Sequence, residues 1–172
     1  MRYIFVGFCV FAAACANAPS APTSPSSSVK DAGVSSPVAE AARATGGSEL
    51  PVRGTLAASE TEDGALHHLV GTGEATQLGR FTLTSDFTVD ASTATATGTA
   101  TWTAANGDQI FTTTVGQAVI VFPQATITET GTITGGTGRF AEASGSLLLQ
   151  RSLDLLTLRS SASITGTISL GH

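Results

Sequence analysis

The sequence predicts an all-β protein: an eight-stranded antiparallel up-and-down barrel, preceded by a signal peptide and a disordered tether. Three observations predict it. From about Leu50 to Leu170, apolar and hydroxyl-bearing residues alternate with period two, the spacing of a half-buried strand. The alternating runs are short and are separated by Gly, Asn and Asp turn signals. No segment of useful length shows helical period. Strands joined by short turns can close on themselves and leave no unpaired edge. A two-sheet sandwich is the alternative arrangement.

The N-terminus reads as an address. Met1-Arg2-Tyr3 is a short basic start, and Ile4 to Ala14 is an apolar run. That run is too short for a bilayer, which takes about 20 residues, and fits a signal h-region. Two cleavage readings compete. Ala16-Asn17-Ala18 has the A-x-A form, followed by Pro19; Ala12-Ala13-Ala14-Cys15 resembles a bacterial lipobox ending in the cysteine that is lipidated. The favoured reading is lipidation of Cys15, with residues 1–15 as signal peptide. Either reading places the protein outside the cytoplasm, in the cell envelope or secreted. Residues 16–48 form a Pro/Ser/Ala-rich tether with too few large apolar groups to fold. Such a chain reaches about 30 Å on average.

The barrel domain spans 49–172. Strands are expected near 52–58, 65–72, 80–89, 95–104, 109–116, 124–134, 145–153 and 158–169. The third is the clearest, with Phe81, Leu83, Phe87 and Val89 on one face and Thr82, Thr84, Asp86 and Thr88 on the other. The fourth repeats the pattern with small residues: Ala96, Gly98, Ala100, Trp102 and Ala104 face one way and a row of threonines the other. Asn106-Gly107 then marks a hairpin turn. A glycine cluster, Gly135-Gly136-Thr137-Gly138, reverses the chain between the sixth and seventh strands, where φ > 0 is needed. In a barrel of this size the inward side chains either fill the lumen or leave room for one small ligand. Here small residues face large ones, so the row supports filled packing or an apolar pocket. Trp102, Phe81 and Phe87 are candidate pocket walls or core residues.

Composition excludes several functions. The net charge is -5 and only 12% of residues are charged. With no Lys/Arg cluster, the chain lacks the basic face that nucleic-acid binding requires. Both cysteines, Cys9 and Cys15, precede the domain, which therefore has no disulfide framework and no Cys-zinc site. The domain also has no Lys and no Tyr, which removes Schiff-base, tyrosine-acid and thiolate mechanisms. His67 and His68 are neighbours on one strand and point to opposite faces; His172 is near the end of the chain. No metal site and no cofactor is expected. Gly136 to Ala141 matches G-x-G-x-x-A, but a strand follows it, not the helix a dinucleotide needs. No G-x-S-x-G elbow occurs.

One pair remains. If the glycine turn pairs Thr134 with Ser144, Glu129 faces Leu149, and Arg151 lies opposite Ile127, diagonal to Glu129. A carboxylate and a guanidinium then share a face otherwise made of Ile and Leu. Buried there, each ion requires the other. The pair is expected to be a structural ion pair near a barrel mouth or a polar anchor in an apolar pocket, with Glu129 the candidate acid/base group.

Ile133-Thr-Gly-Gly-Thr-Gly-Arg-Phe140, followed by Ala-Glu-Ala-Ser-Gly-Ser-Leu147, resembles the turn of plant allene oxide cyclases and is similar to that of dirigent proteins. Bacterial proteins with barrels of this type share it, many together with elements like Leu78-Gly79-Arg80-Phe81 and Ala104 to Asp108. The resemblance covers about 50–170. It implies an eight-stranded barrel with an apolar interior and a homotrimer. It carries over no catalytic residue, because the turn closes a hairpin and bears no chemistry.

The expected role is non-catalytic: an exported, lipid-anchored binding or interaction module holding a small apolar ligand, touching membrane only through lipid on Cys15. The alternatives are an isomerase or cyclase acting inside the barrel, and a structural or adhesive envelope protein. A polar group deep in an open pocket would favour the enzyme, an open pocket without one a binder, and a filled lumen the structural protein. Glu129, Arg151, Trp102, Phe81 and Phe87 are the candidate ligand-binding residues.

Overall fold

The computed structural model describes residues 48–171. The expected signal segment 1–15 with Cys15, the expected tether as far as residue 47, and His172 lie outside the described residues.

Eight strands form one closed antiparallel barrel in chain order. They are β1 (Glu49–Asp63), β2 (Leu66–Ala75), β3 (Gly79–Asp90), β4 (Thr95–Ala104), β5 (Gln109–Val121), β6 (Gln124–Gly136), β7 (Ser144–Asp154) and β8 (Arg159–Ser169). β1 pairs with β8 from Glu49↔Ser169 to Ser59↔Arg159, and this closes the ring. The expected strands are all present. The two largest extensions are in β1, which continues through Glu60 to Asp63, held against β2, and in β5, which continues to Val121, held against β6; β2 also runs on to Ala75 and β6 to Gly136.

The alternation sorts the side chains. Threonines cover the outside of β3, β4 and β6, and the opposite face of each strand looks into the lumen. Inward residues are not equally buried along a strand. In β3, Phe81, Leu83 and Ser85 are buried while Phe87 and Val89 are half-buried. The lumen therefore has a filled half and an open half. Phe81, Leu83, Trp102, Ile110, Ile133, Leu147, Leu149, Ile164 and Ile168 fill the first. The indole N–H of Trp102 donates to Thr112 Oγ1 at 3.2 Å, so the one polar atom of that side chain is satisfied.

The glycine-rich turn closes the filled end. β6 runs to Gly136, and a single 3-10 turn, Gly138–Phe140, follows. Gly138 sits at φ 55°, a conformation glycine adopts without strain. The turn aims Phe140 inward, where it is fully buried and joins Leu78 and Ala143 in the core. Thr137 Oγ1 accepts the backbone N–H of Gln109 at 2.9 Å, which ties the turn to the start of β5. A bulge between Phe111 and Thr112 leaves Thr134 as the extra residue on β6, and its hydroxyl donates to the Phe111 carbonyl at 3.2 Å.

Candidate functional site

At the open end, four turns surround the mouth: β1–β2, β3–β4, β5–β6 and β7–β8. Beneath them is a cavity of about 460 Å³. It exists because this half of the lumen is lined by small residues where the other half has large ones. Ala96, Gly116, Ala118 and Ala125 contribute little volume, and Val89, Ile127, Leu153 and Leu155 complete apolar walls. A Cβ built on Gly116 would meet nothing closer than 3.8 Å. The size falls within the roughly 300–1,000 Å³ range of small-molecule sites. A sealed, empty void of 460 Å³ would cost on the order of 10 kcal/mol at about 24 cal/mol per Å³, comparable to a domain's whole stability. The cavity instead opens to the surface past Gly64, Ala94 and Ile120.

The floor is polar and organised by Glu60. This residue continues the inward phase of β1, after Val52, Leu56 and Ala58. Its carboxylate receives Arg151 Nη1 at 2.5 Å on one oxygen and His67 Nδ1 at 2.7 Å on the other. The Glu60 and Arg151 side chains are 2% and 4% exposed. A buried pair of this kind is tolerated because each charge neutralises the other. Since a carboxylate only accepts, Nδ1 of His67 carries the proton, and in the neutral ring Nε2 presents a lone pair. The imidazole packs beside Phe87, with ring centroids 5.3 Å apart.

Glu129 is the fourth member. It lines the cavity half-buried, and among the described residues it has no hydrogen-bond or ion-pair partner. Burial raises its carboxyl above the ordinary carboxylate range; the Arg151 charge opposes this and the Glu60 charge adds to it. Arg151 Nε is buried without a partner among the described residues.

The register places Glu129 opposite Leu149 and Arg151 opposite Ile127, as expected from the turn. The ion pair is a correction: Arg151 bonds Glu60, not Glu129. Closure brings β1 alongside β8, and Glu60 reaches Arg151 of β7 over the intervening β8, a contact that adjacent-strand geometry alone does not reveal. Phe87 lines the cavity, whereas Phe81 and Trp102 lie in the filled half and do not. His67 and His68 face opposite ways: His67 lines the cavity, and His68 bonds Asp86 at 2.7 Å on the outside. Sequence reasoning missed Glu60 and passed over His67. The period-two phase of β1 from Val52, and of β2 back from Ala75, would have placed both inward.

Glu60, Glu62 and His67 offer three ligand atoms within 4.8 Å of one another. The set suits a divalent cation poorly, because both Glu60 oxygens are engaged and the Arg151 cation stands beside them. A wider depression of about 850 Å³ on the outer wall, beside Thr55, Thr72, Glu74 and Arg80, is open surface away from the buried ion pair.

Comparison of the chain with protein-family models, curated proteins and solved structures finds no match.

Proposed function

We propose that the protein is an exported β-barrel that binds one small, largely apolar molecule in the open half of its lumen. The observation that carries this reading is the cavity itself: apolar walls, a size suited to one ligand, an open mouth and a buried polar floor. The filled half counts against a hollow conduit and gives the site a fixed bottom. Export and lipidation at Cys15 rest on the N-terminal sequence, and kinship with allene oxide cyclase-like and dirigent-type barrels rests on the glycine turn. Mass spectrometry of the mature N-terminus tests the first; an unmodified terminus beyond Cys15 sinks the lipoprotein reading.

The binding reading is tested by native mass spectrometry of the chain purified without detergent, followed by organic extraction. A bound apolar molecule at fixed stoichiometry is expected. The control is Gly116→Phe, whose Cβ makes only ordinary contacts and whose ring projects into the cavity; it should abolish that mass shift while leaving unfolding nearly unchanged. Identical ligand content in Gly116→Phe would refute the site.

A second reading, proton-transfer chemistry in the same cavity, is favoured by the polar floor. Glu60 orients His67 as a carboxylate orients a catalytic imidazole, and Glu129 retains its proton more tightly than an exposed carboxyl. Its test is deuterium exchange into the α-carbon of a bound ketone, followed by NMR; exchange no faster than in His67→Phe would exclude it.

A further inference from the structure

We propose that the outer face of β4, β5 and β6 is a dimer interface, on which a second copy of this chain packs about a twofold axis at Val115.

Closure limits how copies can meet. The ring leaves no free strand edge, so strand addition is unavailable and association falls to the outer faces. Charge then selects the face. Arg53, Glu74, Arg80 and Asp86 stand exposed on β1, β2 and β3. The outward rows of β4, β5 and β6 carry no charge. With a net charge of -5, two copies repel each other least through that face.

The row on β5 differs from its neighbours. Where β4 and β6 present threonines, β5 presents Phe111, Thr113, Val115, Gln117 and Val119. Val115 and Val119 are 60% and 65% exposed. The barrel wall curves away on either side, so this apolar row is a ridge between two hydroxyl rows. That is the core-and-rim layout of a protein interface.

Symmetry supplies the partner. In an isologous contact residue i meets j and j meets i. The β5 row reads the same in both directions from Val115: Thr113 and Gln117 flank it, and the apolar Phe111 and Val119 lie beyond. Two β5 strands running antiparallel across the axis therefore set Val115 on its own copy, Phe111 on Val119, and Thr113 on Gln117. Gln117 Nε2 is engaged with the Thr93 and Ala94 carbonyls at 3.2 Å, which leaves Oε1 to accept the Thr113 hydroxyl of the second copy. A threefold contact, which the glycine-turn resemblance implies, joins two different patches and makes no use of this palindrome. Three strands about 4.8 Å apart and about ten residues long offer about 500 Å² in plan. A dimer then buries about 1,000 Å², enough for a specific but reversible contact.

The test uses the full chain with Cys9→Ser and Cys15→Ser, so that neither lipid nor a native thiol contributes. Sedimentation velocity should show monomer at about 1 µM and dimer at about 100 µM, the weak end of the affinities such areas give. Val115→Asp sets two carboxylates together on the axis and should raise the dissociation constant about ten-fold or more. Val70→Asp, on the outer face of β2, should leave it nearly unchanged. The near-ultraviolet circular dichroism of Trp102 reports whether each variant is folded. A separate measurement reads the geometry without destabilising it. Under mild oxidation Val115→Cys should link to itself, Phe111→Cys should not, and Phe111→Cys mixed with Val119→Cys should. The proposal is overturned if the chain stays monomeric at the higher concentration, forms trimers, dimerises equally well as Val115→Asp, or links Phe111→Cys to itself. A monomer that floats with phosphatidylcholine vesicles would assign the ridge to lipid and overturn it too.

Discussion

Glu60 shows how much of this molecule rests on single ionisable groups. It is the sole anion bonded to Arg151 among the described residues, and both are buried. Glu60→Ala should therefore destabilise the barrel by about 3–5 kcal/mol, the usual cost of stranding a buried charge. Replacing both partners, as Glu60→Leu with Arg151→Met, should recover most of that loss, because neither charge is then left alone. Urea unfolding of the three proteins decides it; a single variant as stable as the unaltered chain would show that water reaches Arg151. Glu129 acts in the opposite sense, through its proton. Unfolded, its carboxyl titrates near the ordinary 4.5; folded, burial raises it. The folded state binds that proton more tightly, so the stabilisation is complete below about 4.5 and lost as pH rises through the folded value. Glu129→Gln should flatten this fall, leaving stability nearly unchanged at acid pH and raising it above that of the unaltered chain at more alkaline pH. Asp90 and Asp154 titrate the other way, their carboxylates held below the ordinary 3.8 by turn hydrogen bonds from Ser92 and from Leu156 and Thr157. Their contribution is present above 3.8 and lost as pH falls through the depressed values, a window below that of Glu129. Of the polar floor, the sequence made Glu129 and Arg151 legible, because a hairpin turn sets register. Glu60 was hidden, since its partner lies on β7, beyond β8, and not on a neighbouring strand.

The hairpin joining β6 and β7 carries the strongest local specification in the chain. Its glycines permit a reversal that lays Phe140 against the core. Gly138 combines a positive φ with a backbone that passes directly beside the Asp108 carboxylate, leaving no room for a Cβ. Gly138→Ala should cost about 1–3 kcal/mol from backbone strain alone, and more where Asp108 must move. Ligand affinity should stay unchanged, because the turn closes the end of the barrel opposite the cavity. Thermal unfolding and ligand titration on the same sample separate the two effects; weakened binding at unchanged stability would contradict the division of the lumen into two halves. Strand legibility follows the same physics. Where Thr alternates with apolar residues, as in β3 and β4, the expected and observed strands nearly coincide. The alternation fails at Glu60-Thr61-Glu62-Asp63, four polar residues, and at Ala118-Val119-Ile120-Val121, four apolar ones. Both segments are strand because a neighbour supplies the ladder: Glu60 pairs with Leu69, and Val119 with Thr126. Pairing overrides local pattern here, and these two extensions build the mouth. The cavity was legible only as an alternative, since the small row on β4 spans both halves and gives no sign of where the large residues stop.

For the molecule as a whole, closure is the property from which stability and site both follow. The β1–β8 ladder begins at Glu49, so the ring closes within the described residues. A fragment of residues 48–172 should unfold cooperatively at the midpoint of the full chain. Removing the other end should have the opposite effect. A chain ended after Asp154 lacks β8, which leaves β1 and β7 each with one bare edge. It also loses Ile164 and Ile168, both almost wholly buried and each worth about 1.5–3 kcal/mol of apolar burial. Those two residues alone account for a large share of the roughly 5–15 kcal/mol that holds a domain folded. Seven strands should therefore give no cooperative transition, and bare edges should drive association. The near-ultraviolet circular dichroism of Trp102 is the appropriate probe, because that ring sits in the filled half, hydrogen-bonded to Thr112 and packed on Phe81. Its signal should vanish in the shortened chain and persist in the 48–172 fragment, with size-exclusion chromatography reporting association of the first. A shortened chain that stays monomeric and keeps the tryptophan signal would mean that an open sheet suffices; the filled half would then be stable without closure, and the cavity alone would depend on β1 meeting β8.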